Sequence, residues 1–268
     1  MAKSFVYIIL MTFSLASVGG DNILKILSTT STRDSGFYDY IIPEFNKIYD
    51  IEVYVIATGT GHALDNARKC NGDILITHSP RLEKDFVSSG HGVDRAPFML
   101  NDFIVIGPKN DPAKISKSIN VISAFQKLYK AKAVFISRGD NSGTHLSELN
   151  IWSQSGYNPK IHSGEWYLES GQGMGATLNV AIGSNSYTYT DRATWSNFDN
   201  KQNHIILYSG DKNMINQYSI TRISPTKCPN IDIENSNLLR NWLISNDGQT
   251  AIREFKINNE TMFMPNYD

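Results

Sequence analysis

The stretch Ile23-Leu24-Lys25-Ile26-Leu27-Ser28-Thr29-Thr30-Ser31-Thr32 decides the fold. Ile23 to Ser28 reads as a short buried strand, four hydroxyl residues follow, and Phe37, Tyr40, Ile41, Ile42, Phe45 and Ile48 then recur at helical spacing. The order is strand, polar turn, helix. It returns at once: Ile51 to Ala57 is a second strand, Thr58-Gly59-Thr60-Gly61 a second turn, His62 to Cys70 a second helix, and Asp73 to Thr77 a third strand. Further strands are expected at Phe103 to Gly107 and Ala133 to Ser137. The latter runs into Arg138-Gly139-Asp140-Asn141-Ser142-Gly143-Thr144 and a helix from about His145 to Gln154. Gly171-Gln172-Gly173-Met174-Gly175 opens another helix from Ala176 to Ile182, and Leu238 to Phe255 reads as one amphipathic C-terminal helix. Strands alternating with helices predict an α/β fold.

The openings carry the chemistry. A strand that ends in Ser, Thr and Gly before a helix leaves backbone N–H groups unpaired, adds hydroxyls, and meets the positive end of the helix dipole. Such an end attracts anions, although any one of them alone is equally an N-cap. Four openings in one chain point further, because in open α/β sheets they collect at the carboxyl edges of the strands and can converge on one small anion. The third opening adds a guanidinium at Arg138, with Asp140 placed either to hold it by an ion pair or to accept a proton from a ligand.

Composition sets the frame. The 268 residues are 41% hydrophobic and 19% charged, a mixture that buries a core and excludes intrinsic disorder. The formal net charge of −1 leaves no basic surface for nucleic acid. Residues 1–20 read as a secretory signal peptide, with Lys3 before the apolar run Phe5 to Leu15 and small residues after it. No cysteine follows that run to carry a lipid anchor, so a free, periplasmic chain is expected. Cys70 and Cys228 are compatible with a disulfide or with two buried thiols. The six histidines show no i, i+4 pair, so no metal site is expected.

Several runs together resemble the extracytoplasmic tungstate-binding proteins of ABC uptake systems. They are Ser28-Thr29-Thr30-Ser31-Thr32, Gly59-Thr60-Gly61-His62-Ala63-Leu64, His78-Ser79-Pro80, Asn101 to Pro108, Ser137 to His145, Gly171 to Leu178, Tyr187 to Thr194 and Gly210 to Tyr218. The resemblance implies a two-lobed periplasmic-binding-protein (type II) clamshell with a hinge between the lobes. Lobe one would be 21–101 plus 219–268, and lobe two 102–218. It further implies that Thr29, Thr30, Ser31, Thr58 and Thr60 from lobe one, and Arg138, Ser142, Thr144, Met174 and Gly175 from lobe two, hold the oxyanion. Tyr189 is a weaker candidate. His62 stands where such proteins often carry Lys, and Ser28 where a third Thr is common. The implied ligand is tungstate, with molybdate as an alternative and no cofactor; the implied partner is a membrane permease, and a monomer is expected.

Two rivals come from the same residues. Arg138, Asp140, Ser142, Gly143 and Thr144 also match the Arg-x-Asp-x-Ser-Gly-Thr loop of phosphate-binding proteins, and sulfate shares with tungstate the lack of a proton at neutral pH. A serine hydrolase is the enzymatic alternative, since His62, Asp102 and Ser142 occur in the order of a protease triad. Ser142 opens a helix here, outside both the paired-barrel and nucleophile-elbow contexts, which argues against catalysis. His78 is expected to be a structural histidine.

Overall fold

The computed structural model describes residues 22–267, so the expected signal peptide lies outside the described residues. The chain opens with β1 (Ile23–Thr29), α1 (Thr30–Asp34), α2 (Phe37–Asn46), β2 (Glu52–Thr58), α3 (Thr60–Arg68), β3 (Ile74–Thr77), α4 (Pro80–Ser88) and β4 (Gly92–Pro108). There follow α5 (Val121–Ala131), β5 (Phe135–Ser137), α6 (Gly143–Gln154), β6 (Tyr167–Glu169), α7 (Met174–Gly183), β7 (Tyr187–Asp191), α8 (Arg192–Asn197) and β8 (His204–Tyr208). The last part holds β9 (Ile215–Ile223), α9 (Ile233–Leu243), α10 (Asn246–Glu254) and the short β10 (Lys256–Ile257), β11 (Glu260–Thr261) and β12 (Met264–Pro265).

The sheet runs β2-β1-β3-β9-β4-β7-β5-β6, with β8 and β12 also paired to β4. Parallel pairs β1–β2 and β1–β3 lie on one side, and parallel pairs β5–β6 and β5–β7 on the other. β4 joins them. Its residues from Gly92 to Asp102 pair with β9, and those from Phe103 to Ile106 pair with β7. Sequence reading found only the second half of this strand, because Asp94 and Arg95 interrupt the apolar pattern of the first.

Strand alternation sorts the core onto the two faces of the sheet. In the first half, Ile26, Ile74 and Ile76 join Phe37, Phe45 and Trp242, while Leu27 and Leu75 face Leu64 and Phe86. In the second half, Phe103 and Val105 meet Phe125 and Trp152, and Ile104 and Ile106 meet Met174 and Leu178. The tryptophans thus serve packing.

Two local expectations change. The hydroxyl run after β1 is itself helical: Thr29 caps α1 by accepting from Thr32 N–H, which turns a polar stretch into a helical turn. The C-terminal helix is two helices, because Ser245 caps α10 and accepts from Gly248 N–H. Gly248 is required there, since a Cβ would fall 2.0 Å from Trp242 O. Cys70 and Cys228 form a disulfide with Cα atoms 5.4 Å apart and a sequence separation of 158. Closing a loop of that size stabilises small domains by roughly 2–5 kcal/mol, through the lost freedom of the unfolded chain.

Candidate functional site: a polar pocket where four loop-helix openings meet

The four openings read from the sequence come together. Arg138 Nη2 donates to Thr30 Oγ1 at 3.4 Å, and Gly143 N–H donates to Thr60 Oγ1 at 3.1 Å. A methyl group on Gly173 would lie 3.6 Å from Thr30 Oγ1, and one on Gly59 would lie 3.8 Å from Asp140 O. A pocket of ≈ 310 Å³ lies between them, lined by Thr30, Gly59, His62, Arg138, Asp140 and Gly171 to Gly173. Gly143 permits this approach. A Cβ there would sit 2.8 Å from His78 Nδ1 and 2.9 Å from His78 O.

Arg138 is 2% exposed. Its Nη2 pairs with Asp140, whose other oxygen accepts from Ser142 N–H at 3.1 Å. Among the described residues, Nε and Nη1 have no hydrogen-bond partner, and neither has the buried Thr144 Oγ1. Buried polar groups are otherwise almost always paired, and an unpaired one costs about 1–3 kcal/mol, more when charged. Two such groups on Arg138 and one in the first turn of α6 are donors without an acceptor among the described residues.

Hydroxyl accounting separates the expected site residues. Thr30 Oγ1 and Thr60 Oγ1 each accept one bond, which leaves their protons free to donate. Thr29 Oγ1 is occupied within α1, against Thr32 N and Thr32 Oγ1. Ser142 Oγ caps α6 by accepting from His145 N–H at 3.2 Å. Ser31 Oγ lies 3.0 Å from His78 Nε2, and Thr58 Oγ1 donates to Gly59 O at 3.3 Å. Met174 and Gly175 occupy the first turn of α7; the Met174 side chain is core, so only backbone N–H groups could serve a ligand there. Tyr189 is core as well, with its hydroxyl 3.0 Å from Ser147 Oγ and its ring stacked on Phe103.

Sequence reasoning missed Gln172, which lines the pocket from inside a quoted glycine run, and Asn216, whose place beside His78 has no local signal. It also missed Glu148. This carboxylate, buried on α6, accepts from Ser137 Oγ, Tyr167 OH and Trp152 Nε1 at 2.7, 2.8 and 3.1 Å, anchoring the strand that leads to Arg138. Burial pushes Glu148 up to about 7 and the three donors only partly offset it. A raised carboxyl stabilises the fold fully below about pH 4.5, and that contribution is lost as pH rises through 7. Glu148→Gln should therefore flatten the decline of unfolding free energy between these pH values, by up to about 3 kcal/mol in chemical denaturation. An unchanged pH profile would show that Glu148 titrates normally.

Two members of the triad reading, Asp102 and Ser142, have other uses. Arg192 holds Asp102 through two bonds, Nε to Oδ1 at 2.7 Å and Nη2 to Oδ2 at 2.6 Å, and the Ser142 hydroxyl is the α6 cap.

Residues 17–247 match the model of the PBP superfamily domain. The chain is 39% identical over 232 residues to the tungstate-binding protein TupA of Peptoclostridium acidaminophilum, covering 86% of this chain and 80% of that one. The structure of the tungstate ABC transporter from Geobacter sulfurreducens superposes with a TM-score of 0.81 at 39% identity, covering 87% of this chain and 98% of the other. TupA from Desulfovibrio alaskensis G20 gives 0.78 at 40% identity, over 92% and 99% of the two chains. With its two sheet halves joined through β4, its converging helix openings and these likenesses, the chain belongs to the PBP superfamily and, within it, to the family of the TupA tungstate-binding proteins.

Proposed function

We propose that this chain is the periplasmic solute-binding protein of an ABC importer and captures tungstate between its two lobes, delivering it to a membrane permease without chemistry. The observation that carries the reading is the buried Arg138 guanidinium with Nε and Nη1 unpartnered, beside an equally unpartnered Thr144 hydroxyl. A dianion supplies the acceptors that these groups lack. It would take donors from Thr30 and Thr60 in lobe one and from Arg138 and Thr144 in lobe two, with tungsten held as the oxyanion. Lobe one is 21–101 plus 219–268 and lobe two 102–218 on this reading, with the hinge in β4 and β9, and the protein acts as a monomer.

Asp140 bears on the choice of oxyanion. Its oxygens accept from Arg138 and from Ser142 N–H, bonds that position the loop and account for the residue without a ligand proton. A proton-bearing phosphate needs an acceptor, whereas tungstate and molybdate need donors alone. Native mass spectrometry should find one tungstate per chain after buffer exchange. More than one, or none, would contradict a single enclosed site.

A further inference from the structure

Of the hydroxyl protons near the pocket, that of Ser31 is decided by a buried run of polar side chains. Asp191 accepts the backbone N–H of Thr194 on Oδ1 at 2.9 Å and the Thr194 hydroxyl on Oδ2 at 2.6 Å, so as a carboxylate it is an acceptor toward Asn101. Asn101 must then turn its Nδ2 toward it, at 3.4 Å, and its Oδ1 toward Asn216. Asn216 consequently presents Nδ2 to Asn101 Oδ1 at 2.8 Å, with Tyr218 OH also within 3.0 Å, and presents Oδ1 to His78 Nδ1 at 3.0 Å. His78 Nδ1 therefore carries a proton. In a neutral ring Nε2 is then a lone pair, and the Ser31 hydroxyl 3.0 Å away must donate to it.

We propose that Ser31, His78, Asn216, Asn101 and Asp191 form a hydrogen-bond chain that donates in one direction, with the Ser31 proton committed to His78 and withheld from the oxyanion. His78 is thereby a positioning residue. It ties Ser31 of α1 to β9 and β4, the two strands shared by the halves of the sheet, and all five residues are buried. The environment keeps the ring neutral: burial first, and then the Arg138 charge, push His78 down to about 4, against smaller opposing effects of the Asn216 hydrogen bond and of Asp140. With its one proton committed to His78, Ser31 Oγ has only lone pairs left to offer, which an oxyanion cannot use, so the donating falls to Thr30 and Thr60.

The test is the His78 tautomer, read by long-range proton–nitrogen correlation on protein with ¹⁵N-labelled histidine, assigned with His78→Gln. At pH 7 the proton should be on Nδ1 and Nε2 should be bare, without tungstate and at saturation. A proton on Nε2, or a doubly protonated ring, in either state overturns the chain. In Ser31→Ala the Nδ1 proton should stay while the Nε2 signal moves to that of a nitrogen without a hydrogen bond. Its tungstate affinity should fall less than fivefold. A shift of the proton to Nε2, or a loss of fivefold or more, overturns the proposal. The inference rests on the oxyanion reading, yet the ligand-free spectrum tests the chain even if wild type fails to bind tungstate.

Discussion

Arg138→Ala should lose at least a hundredfold in tungstate affinity. Hydrogen bonds to charged groups contribute roughly 1.5–3 kcal/mol each, and Nε and Nη1 are both without a protein partner, so two bonds and the main countercharge go at once. Arg138→Lys should recover part of the loss, because a point charge returns while the planar fork does not. In the ligand-free fold two effects oppose each other, since the change removes two unpaired buried nitrogens and also leaves Asp140 without its partner. Titrating wild type and both variants at two salt concentrations checks the affinity loss. A loss under about 1 kcal/mol with strong salt dependence would mark Arg138 as a screened charge and remove it from the site.

The second large effect belongs to lobe one. Thr30→Ala combined with Thr60→Ala should weaken tungstate binding by two to four decades, since each deletes a hydroxyl that accepts within the protein and keeps its proton for the ligand. Two charge-assisted bonds at roughly 1.5–3 kcal/mol each set that range. Neither hydroxyl caps its helix: Thr29 caps α1, and the residue before α3 is Gly59. The fold should survive, and thermal unfolding of the ligand-free double variant separates the cases. Collapse of that transition would make these threonines structural.

The contrast between Thr30 and Thr29 shows how far the sequence is legible. Strand-turn-helix order and the four openings stand in local pattern, because hydroxyls, glycines and apolar spacing report what one segment does. What a hydroxyl does with its single proton depends on neighbours that pattern does not encode. Thr29 and Ser142 are caps, as the plainer reading of such residues has it. Ser31 faces His78, and His78 meets Asn216 across 138 residues of sequence. The first half of β4 was hidden by its charges, and the break at Ser245 by the apolar spacing that continues past it. The Cys70–Cys228 pairing needed coordinates, since two cysteines give no distance.

Calorimetric titration with tungstate, molybdate, sulfate and phosphate, under one buffer and one ionic strength, addresses the central claim most directly. Four donor residues, and a carboxylate whose bonds to Arg138 and Ser142 N–H account for it without a ligand proton, predict one tungstate bound tightly, with phosphate at least a thousandfold weaker, about 4 kcal/mol. Phosphate binding tightly while tungstate does not bind would contradict the account.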